Sequence, residues 1–371
     1  MERPLRIAFL NSWKPSAFDG SGTAVGISSL TLALRHLGHE VDLIQPSRGA
    51  GALPWRLTFN LKLPGLLRSR ASYDLVVGFD LDGFRWASAA DRRSPYIVCL
   101  KGIAADEARF SRSAYEHLRL SMLGWLERGN ALGADRVLVP SRYSADVARE
   151  RYHVSDDLLR VVPEAVDLRP WKEMQAAKRA VLSTAKTVGR PTILSVARQY
   201  PRKDTETLLR SMQEVLKAHS DALLIIIGGG PELPRLRKLS RRLDLDEAVI
   251  FRGSISADDE VREAFFNAHV FCLPSRQEGF GIVFLEAMAA GLPTVAVRAG
   301  AVPEIVDHEQ TGLLVPPGNA RALAGALTKL LTDQEARARM GSAAARKSRE
   351  YDLDVVGRRF LTATRPILSN E

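Results

Sequence analysis

Residues 222–233 read ALLIIIGGGPEL, in which an apolar run meets three glycines and then a segment that opens with proline. Every position from 222 to 227 is apolar, whereas a strand with one face in water alternates apolar and polar residues. Strands that are apolar throughout are typical of parallel sheets covered by helices on both faces. Because the glycine turn leads into a helical pattern, the stretch predicts one unit of strand, turn and helix.

The same unit recurs along the chain. Short apolar or β-branched runs are followed by segments with helical periodicity, which predicts alternating strands and helices. In the first half the predicted strands are 5–11, 40–45, 73–79, 96–102, 135–141 and 159–165. In the second half they are 192–197, 222–228, 248–253, 270–275, 293–298 and 312–318. The clearest helices predicted between them are 24–37, 105–132 and 142–152.

The segment 167–190 separates the two halves. It is polar, rich in Lys, Ala, Ser and Thr, and has no strand pattern, which makes it the best candidate for a linker. A chain of 371 residues also exceeds the usual size of one hydrophobic core. The predicted fold class is therefore α/β, with two doubly wound Rossmann-like domains. Each should bind at the carboxyl ends of its strands, and the cleft between two such domains is the natural active site.

Composition narrows the class of protein. The chain is 46% hydrophobic and 26% charged, and no apolar run approaches the roughly 20 residues of a membrane span. Its net charge of +9 is spread along the chain and interleaved with acids, which indicates a solvated surface rather than nucleic-acid binding. Residues 1–10 contain no secretion signal, so a cytoplasmic location is expected. Cys99 and Cys272 lie in predicted buried strands, and two cysteines exclude a disulfide framework.

A second stretch, EGFGIVFLE at 278–286, has the features of a binding site. Its glycines precede a helix predicted at about 282–290. Backbone amides at a helix start lack intrahelical partners and carry the positive end of the dipole, and glycines let a phosphate or sugar approach them. Glu278 would lie just outside the helix and Glu286 about one turn inside. A carboxylate in the first of these places can accept hydrogen bonds from two sugar hydroxyls.

Three motifs in the second half resemble those of one enzyme family. EGFGIVFLE, GLPTVAVRAGAVPEIV and TGLLVPPGN look like the nucleotide-sugar half of family 4 of the retaining glycosyltransferases. The resemblance covers almost the whole chain and is strongest at about 192–319. It implies that Glu278 holds hydroxyls of the donor sugar and that Glu286 holds the ribose hydroxyls of the nucleotide. The further donor-site residues that it implies in this stretch are Gly279, Phe280, Gly281 and Ile282.

The resemblance also implies an architecture. Members of the family have the GT-B fold, in which two Rossmann-like domains face an interdomain cleft. Residues 1–167 would bind the acceptor and residues 168–351 the nucleotide sugar. The C-terminal helix, at about 352–371, would pack back on the first domain.

The stretch VARQYPRKDTETLL at 196–209 supplies cations. Arg198 follows a predicted strand and Lys203 opens the next helix. Both can therefore converge on a diphosphate whose charge grows as the sugar–phosphate bond breaks. The resemblance assigns them this role, and Arg202 could substitute for either. The alternative is that they are ordinary loop cations.

Two glycine turns would complete the donor site. Gly229 lies in the turn of residues 222–233, where a missing side chain permits close approach of a nucleotide. This turn lacks the Lys-Ser/Thr ending of a P-loop, so ATP hydrolysis is not indicated. FRGSIS at 251–256 resembles the family's nucleobase loop, with Gly253 and Ser254 as the contacts. Contacts through the backbone leave the identity of the base open.

A glycine-rich loop, GSGTAVG at 20–26, opens the first helix. In the family the corresponding loop lies against the donor phosphates, which would involve Gly22 and Thr23. Helix capping by Ser21 or Thr23 is the alternative. The loop also has the form of a dinucleotide fingerprint. Its first glycine comes nine residues after Asn11, however, which is too far from the first strand for a nicotinamide site.

The acceptor side departs from the family pattern. Members commonly have His-Gly and Asn-Gly where this chain has Lys-Gly at 101–102 and Glu-Ala at 164–165. Lys101 could still hold an anionic acceptor or the donor phosphate. Asp106 and Glu107 are further acceptor-side candidates, as general bases or hydroxyl ligands, with favourable charge at a helix start as the alternative. None of the seven histidines has metal-ligand spacing, so neither a metal nor a cofactor is expected.

The segment 53–70, LPWRLTFNLKLPGLLRSR, mixes aromatic, leucine and basic residues. Such a stretch could lie on an anionic lipid surface and present a lipid-linked acceptor, which would make the protein peripheral at the inner face of a membrane. The alternation from Trp55 to Leu63 equally suits a strand packed on the core. We favour the strand.

The family resemblance implies a retaining hexosyltransferase, and no metal ion is expected because the predicted cations supply the charge. Such an enzyme would move a sugar from a nucleoside-diphosphate sugar to a hydroxyl acceptor in glycan, glycolipid or glycoside biosynthesis, for example of cell-envelope polysaccharide. The base, the sugar and the acceptor stay open. Two alternatives share the donor site: a nucleotide-sugar epimerase of GT-B fold and a non-catalytic nucleotide-sugar binding protein.

Overall fold

The computed structural model of the chain describes residues 3–12, 22–46, 53–70, 72–182 and 189–368. Two compact units are present. Unit 1 contains Thr23–Ala165, the N-terminal strand before it, and the chain from Leu353 onward. Unit 2 contains Val166–Asp352. The predicted roles of the two halves in acceptor and donor binding stay predictions at this level.

Unit 1 is built on a six-stranded parallel sheet. Its strands are β1 Arg6–Leu10, β2 Glu40–Ile44, β3 Leu75–Phe79, β4 Tyr96–Cys99, β5 Arg136–Val139 and β6 Leu159–Val161. They lie in the order β2-β1-β3-β4-β5-β6. The order reverses between β1 and β3, because the chain leaves β1 for one side of the sheet and returns on the other.

Unit 2 repeats the plan with a second six-stranded parallel sheet. Its strands are β7 Thr192–Val196, β8 Leu223–Ile227, β9 Val249–Gly253, β10 Val270–Leu273, β11 Thr294–Val297 and β12 Gly312–Val315. They lie in the order β12-β11-β10-β7-β8-β9, so the reversal falls between β7 and β10. In open sheets of this kind, ligands bind outside the carboxyl ends of the strands at the reversal.

Helices connect the strands of both sheets. They are α1 Gly22–His36, α2 Leu53–Arg68, α3 Phe84–Ala87, α4 Ala104–Glu107, α5 Ala114–Leu132, α6 Arg142–Val147, α7 Arg169–Leu182, α8 Thr205–Ala218, α9 Leu233–Arg242, α10 Asp258–Asn267, α11 Ile282–Ala289, α12 Val302–Ile305, α13 Ala320–Thr332, α14 Gln334–Lys347 and α15 Leu353–Leu368. Twelve strands lie where the apolar runs predict them. The predicted α/β class with two Rossmann-like sheets is confirmed.

Helices cover both faces of each sheet, which explains the uninterrupted apolar strands. In unit 1 one face packs on α1 and α15, with Leu34 and Phe360 fully buried. The other face packs on α2, α5 and α6, with Leu63 of α2 fully buried. Full burial of one such side chain contributes about 1.5–3 kcal/mol to folding. Strands such as β3 and β4 are therefore buried at every position, whereas the edge strands β2 and β9 keep exposed residues.

The predicted strand at 55–63 is wrong, because the structure has helix α2 there. Its buried residues follow helical spacing: Arg56, Phe59, Asn60, Leu63 and Leu67. Trp55 and Leu61, which the strand would bury together with Leu63, are 53% and 63% exposed. Leucine, lysine and arginine are compatible with a helix, and packing on the sheet at helical spacing decides against the short apparent alternation.

Two further segments differ from the sequence-based boundaries. The predicted helix 105–132 is divided, and α5 begins afresh after Ser113, whose hydroxyl accepts the amide of Glu116 at 3.1 Å. The predicted linker 167–190 contains α7, and its Trp171 packs edge-on against Phe265 of α10 with ring centroids 5.5 Å apart. The linker residues 183–188 lie outside the described part of the chain.

Several chemical possibilities can be checked over the described ranges. None of the helices there combines the length and apolar content that a membrane crossing requires. No group of three or more His, Cys, Asp or Glu side chains in those ranges is placed to hold a metal ion. Cys99 and Cys272 are buried free thiols. Burial raises the pKa of Cys99 to about 12, so it is not a thiolate nucleophile at neutral pH.

Candidate functional site

The reversal of strand order in unit 2 brings two predicted site loops together. β7 and β10 are neighbours in the sheet, so their carboxyl ends lie side by side. Lys203 follows β7 at the end of the short turn Pro201–Lys203, and Glu278 lies in the loop after β10. The loops are bonded to each other, because the amide of Arg276 donates to the carbonyl of Arg202 at 2.8 Å.

Glu278 and two cations form a buried cluster at this edge of the sheet. Lys203 Nζ lies 2.5 Å from Oε1 of Glu278, and Arg202 Nη1 lies 3.7 Å from Oε2. Glu278 is only 5% exposed. The structure therefore brings the predicted Lys203 and Glu278 together and adds Arg202 as a direct neighbour. Arg276, two residues before Glu278 in the sequence, is exposed.

The cluster keeps Glu278 ionised. Burial alone would raise the pKa of its carboxyl group, but the charges of Lys203 and Arg202 and the Lys203 hydrogen bond outweigh burial and hold the pKa below its usual range. Two cations face one carboxylate, so the cluster has an excess positive charge. Such a site is suited to a ligand that combines an anionic group with hydroxyls.

Helix α11 starts directly after this loop. Gly281 has a φ of 96°, in the left-handed region, and a Cβ there would lie 2.6 Å from the Phe284 ring. Phe284 is fully buried against Phe271 of β10, with ring centroids 5.8 Å apart. Phe280 is also buried, edge-on to Tyr351. This packing fixes the start of the helix, while ligand contacts by residues 279–282 stay a prediction.

The loop after β11 also supports Glu278. Gly300 has a φ of 56°, and a Cβ there would lie 2.6 Å from the carbonyl oxygen of Glu278 and 2.8 Å from its nitrogen. The amide of Ala301 donates to the same carbonyl at 3.0 Å. The sequence motif contains Gly300, but it does not indicate this contact, which the chain makes only after β10 and β11 pair.

The predicted diphosphate and nucleotide loops are contiguous. The amide of Gln199 donates to the carbonyl of Gly229 at 2.9 Å, and that of Gly228 donates to the carbonyl of Gly253 at 2.7 Å. A Cβ on Gly229 would lie 2.7 Å from the Ser254 hydroxyl. Predicted residues after β7, β8 and β9 are thus brought together.

Arg198 lies in the first of these loops, between Ala197 and Gln199. Its guanidinium group is stacked over the Tyr200 ring, 5.3 Å from the centroid. The amide of Ala197 continues the ladder to the carbonyl of Ile227 at 3.0 Å, which holds the loop to the end of β8. The predicted cation therefore has a fixed base at the carboxyl edge of the sheet, and its contact with a diphosphate stays a prediction.

Glu286 lies on α11, one turn after Ile282, and is partly exposed. Burial of its carboxyl group raises the pKa to about 7, with the charge of Asp258 adding to this effect and that of Arg262 opposing it. Both neighbours lie on α10. Glu286 is therefore partly protonated near neutral pH and can both donate and accept hydrogen bonds.

The predicted glycine loop at the start of α1 lies only partly within the described residues. Gly22 and Thr23 form the first turn of α1. Gly20 and Ser21 lie outside the described residues. Contact of Gly22 and Thr23 with the donor phosphates therefore stays a prediction.

Lys101 is engaged in a buried ion pair. Its Nζ lies 2.8 Å from Oε2 of Glu164, and both side chains are about nine-tenths buried or more. Burial lowers the pKa of Lys101, but Glu164 and the neighbouring Cys99 and Asp80 outweigh it, so the pKa lies above its usual range. The two departures from the family pattern, at positions 101 and 164, are thus partners of each other. A buried charge of each sign compensates the other.

The two acids at α4 differ in their surroundings. Asp106 is 1% exposed, accepts from the Tyr143 hydroxyl at 2.6 Å and pairs with Arg109 at 3.0 Å. These two contacts engage both of its carboxylate oxygens. Glu107 lies near Gly102, where a Cβ would be 3.5 Å from its Oε1. Contacts of either acid with an acceptor stay predictions.

A polar network at the carboxyl ends of β1 and β3 was not predicted. The Asp82 carboxylate accepts hydrogen bonds from the backbone amide of Ser12 at 2.8 Å and from its hydroxyl at 2.6 Å. It also accepts one from the side-chain amide of Asn60 at 3.0 Å. Arg56 Nη2 lies 3.5 Å from the same carboxylate. Because α2 supplies Arg56 and Asn60, the mistaken strand concealed their polar partners.

Two family models match the chain. The model described as glycosyl transferases group 1 matches residues 180–347. The model described as glycosyltransferase family 4 matches residues 20–169. Together they cover most of both units.

Curated relatives match mainly over part of their length. A GDP-mannose-dependent α-(1-6)-phosphatidylinositol monomannoside mannosyltransferase of Mycobacterium tuberculosis is 36% identical over 192 residues, 50% of each chain. A D-inositol 3-phosphate glycosyltransferase of Saccharomonospora viridis is 32% identical over 229 residues, 59% of this chain and 52% of the relative. The chain spans about half the length of the curated relatives it matches.

Solved structures match over nearly the whole chain. Sucrose-phosphate synthase from Thermosynechococcus elongatus superposes with a TM-score of 0.80 at 22% identity over 100% of both chains. The Anabaena protein HepE in complex with UDP-glucose superposes with a TM-score of 0.73 at 20% identity, over 97% of this chain and 99% of that one. At these identities the likeness shows the fold alone, and that fold is the predicted GT-B architecture.

Proposed function

The chain belongs to glycosyltransferase family 4, and from this premise we propose that it transfers a sugar from a nucleoside-diphosphate sugar to a hydroxyl acceptor. Unit 2 binds the donor and unit 1 binds the acceptor. The observation that carries the proposal is the buried cluster of Glu278 with Lys203 and Arg202 at the strand reversal of unit 2.

The charges of this cluster fit a sugar diphosphate. When the donor binds, its diphosphate replaces the Glu278 carboxylate as the partner of Lys203 and Arg202. Glu278, which is held ionised, then accepts hydrogen bonds from hydroxyls of the sugar. Arg198 contributes a further cation from its base on Tyr200. Glu286 binds the ribose hydroxyls in this proposal.

The cations stabilise the diphosphate most strongly while its bond to the sugar is breaking. The bond between the anomeric carbon and the diphosphate oxygen breaks, and its electron pair stays on the diphosphate, whose charge Lys203, Arg202 and Arg198 stabilise. The acceptor oxygen bonds to the same face of the anomeric carbon and transfers its proton to the departing diphosphate. The product retains the anomeric configuration. Because three side-chain cations surround the leaving group, the proposed route requires no metal ion or further cofactor.

The acceptor class is proposed from the relatives. The names of two of them include phosphatidylinositol monomannoside and D-inositol 3-phosphate, which supports a polyol acceptor, free or lipid-linked, in cell-envelope glycan or glycolipid synthesis. Backbone contacts at Gly253 and Ser254 do not distinguish one nucleobase from another, so the proposal names neither the base nor the sugar. The cytoplasmic location expected from the sequence stays a prediction.

A ligand screen tests the donor. Thermal unfolding is measured with a panel of nucleoside diphosphates and their sugars, and at least one should raise the midpoint, because a ligand that binds only the folded state stabilises it by mass action. That donor is then incubated with inositol-type acceptors, and the product linkage is assigned by NMR. No shift with any nucleotide contradicts the proposal. Sugar interconversion without an acceptor identifies an epimerase, and binding without turnover identifies a binding protein.

Substitution of Glu278 by Gln tests the site itself. We expect transfer to fall by about 100-fold or more, because the amide cannot supply the negative charge and acceptor capacity of the carboxylate in the transition state. Glu335→Gln, in the exposed first turn of α14, is the matched control and should leave transfer unchanged. Near-native turnover by Glu278→Gln would remove Glu278 from the mechanism.

A further inference from the structure

The outer face of α5 carries a stripe of exposed apolar side chains. Its members are Tyr115, Leu118, Met122, Trp125 and Leu132. Successive members are three, four, three and seven residues apart, so they lie along one side of the helix. Tyr115, Leu118 and Trp125 are 78%, 70% and 70% exposed. The stripe extends over about 26 Å at the rise of an α-helix.

The opposite face of α5 is the one that packs on unit 1. Its buried residues are Leu120, Leu123, Gly124, Glu127, Asn130 and Ala131. Leu120 and Leu123 pack with Leu81 in a satellite cluster. An amphipathic helix with its apolar face already buried normally presents polar residues to water. The exposed stripe is therefore a second apolar face that the fold of unit 1 does not require.

Helix α2 carries two further exposed apolar side chains. Its exposed Trp55 and Leu61 lie on the same side of the unit 1 sheet as α5, because both helices pack on one face of that sheet. Leu53 of α2 packs against the satellite cluster that contains Leu120. Of the twelve large hydrophobic side chains that are exposed among the described residues, seven lie on these two helices. Such a concentration marks an interaction surface, whereas single exposed side chains do not.

The borders of the stripe are positively charged. The flanking positions 114, 119, 121, 126 and 128 contain two arginines, Arg119 and Arg128, and no acid. On α2 the exposed Lys62 is next to Leu61. The partner that complements this surface is apolar at its centre and anionic at its boundary.

We propose that α5 and α2 form the surface by which this protein docks on an anionic lipid bilayer. Tyr115 and the tryptophans suit the headgroup level, where aromatic rings with a polar edge are favoured. Leu118 and Met122 enter the acyl boundary, as the apolar face of an interfacial helix does. Arg119 and Arg128 attract anionic headgroups.

A second copy of the chain is a poorer partner for the stripe. Its three- and four-residue spacing is that of a coiled-coil seam, so pairing of two α5 helices has to be considered. In such a pair the flanking positions of the two helices face each other. They contain Arg119 and Arg128 and no acid, so pairing would bring cations against cations or uncharged residues. An anionic bilayer instead supplies the missing opposite charge.

This docking surface does not depend on the proposed transfer reaction. It lies on α5 and α2 of unit 1, whereas the donor cluster of Glu278 and Lys203 lies in unit 2. Vesicle binding can therefore be measured without a donor, and its outcome is separate from that of the nucleotide screen. The membrane interpretation of residues 53–70 keeps Trp55 and Leu61 as contacts, now placed on helix α2.

Vesicle sedimentation tests the proposal. The full chain is centrifuged with vesicles of phosphatidylcholine alone and with vesicles that also contain phosphatidylglycerol. We expect it to sediment with the anionic vesicles, and much less with the neutral ones. The preference should decrease at high salt, because mobile ions screen the arginine contribution. Failure to bind either kind of vesicle, or equal binding to both, would overturn the proposal.

Two variants locate the contact. The double variant Leu118→Ser with Trp125→Ser should lose at least about tenfold in partition to anionic vesicles. The reason is that two apolar side chains are no longer present to be buried in the bilayer. The double variant Arg119→Gln with Arg128→Gln should lose about tenfold through charge alone. The matched control is Ile250→Ser with Val355→Ser, which removes two exposed apolar side chains elsewhere and should bind as the natural chain does. Circular dichroism checks that each variant is folded.

The same variants distinguish the bilayer from a second copy. Sedimentation velocity should find the chain monomeric in the absence of lipid, with or without the Leu118 and Trp125 substitutions. A dimer that the serine variant dissociates would assign the stripe to a second copy and overturn the lipid proposal. Unchanged vesicle binding by both the serine and the glutamine variants would also overturn it.

Discussion

At the scale of single residues, Glu278 and Glu286 occupy one short segment and have opposite pKa shifts. Burial favours the neutral form of both carboxyl groups. Lys203 and Arg202 reverse this effect at Glu278, whereas Asp258 adds to it at Glu286. The neighbours come from other elements, so two acids that look alike in the sequence differ in charge near neutral pH.

The raised pKa of Glu286 predicts a specific dependence of stability on pH. Between its ordinary value of 4.5 and about 7, the unfolded chain loses this proton while the folded protein keeps it, so the folded state is progressively disfavoured as pH rises. Glu286→Gln removes this penalty. Its free energy of unfolding, relative to the natural chain, should rise between these pH values by about 3 kcal/mol and then level off.

Urea unfolding at a series of pH values measures this difference. Glu335→Gln, at an exposed position of α14, is the control and should give a difference that does not vary over the same range. A flat or falling difference for Glu286→Gln would show that its carboxyl group is ordinary.

The buried pair of Lys203 and Glu278 should contribute asymmetrically to stability. Lys203→Met removes the nearer cation of Glu278 and leaves Arg202 at 3.7 Å. We expect a loss of about 2–4 kcal/mol in the free energy of unfolding. Combining it with Glu278→Gln should recover part of this loss, because the uncompensated charge is gone. Lys217→Met breaks an exposed pair with Glu214 and should cost less than about 0.5 kcal/mol. Equal losses for the two lysines would contradict the buried pair.

At the scale of elements, the site consists of loops that the parallel strands deliver to one edge. The loop after β10 carries Glu278, the turn after β7 carries Lys203, and the loop after β11 carries Gly300. Backbone hydrogen bonds connect neighbouring loops, as between the amide of Ala301 and the carbonyl of Glu278. The position of the carboxylate therefore depends on the close approach of three loops.

Gly300→Ala tests this dependence. A Cβ would meet the backbone of Glu278 and would also be strained at a φ of 56°, so we expect a loss of about 1–3 kcal/mol in unfolding free energy. Donor binding should weaken as well, since Glu278 must move. The matched control is Gly325→Ala in α13, where a Cβ meets no atom within 4 Å and stability should rise by up to about 1 kcal/mol. Urea unfolding and donor titration of both variants measure these effects.

If Gly300→Ala binds the donor as tightly as the natural chain, the loop after β11 does not position the carboxylate of Glu278. A loss of stability in Gly325→Ala comparable to that in Gly300→Ala would assign both effects to glycine replacement in general.

At the scale of the whole molecule, each unit has its own sheet and core. The described tryptophans report on them separately, because Trp55, Trp86 and Trp125 lie in unit 1 and Trp171 lies in unit 2. Trp171 is buried against Phe265. Fluorescence can therefore follow unit 2 through one residue.

We expect urea unfolding to proceed in two transitions. A nucleoside diphosphate at a hundredfold excess over its Kd should stabilise unit 2 by about 2.7 kcal/mol and leave the other transition in place. Trp171→Phe should remove the fluorescence change of the ligand-sensitive transition and keep that of the other. A single transition that shifts as a whole with ligand would show that the units unfold together.

Much of the candidate site follows from local sequence, and the remainder depends on distant partners. Short motifs in the sequence predict the glycine turns at Gly229 and Gly281 and the carboxylate of Glu278, because the residues of each motif are neighbours along the chain. Lys203 is 75 residues from Glu278 along the chain, and no local pattern gives their distance of 2.5 Å. The pairing of Lys101 with Glu164 and the support of Glu278 by Gly300 escaped prediction for the same reason.

The sequence by itself determined the twelve strands, the α/β class and the family, because uninterrupted apolar runs and short motifs are local properties of the chain. Tertiary structure decided that α2 is a helix, since packing spreads its buried residues over a helical period that a short alternation hides. It also decided which charges meet. The order of strands in a sheet places chain-distant loops side by side, and burial there sets the charge of Glu278 and Glu286.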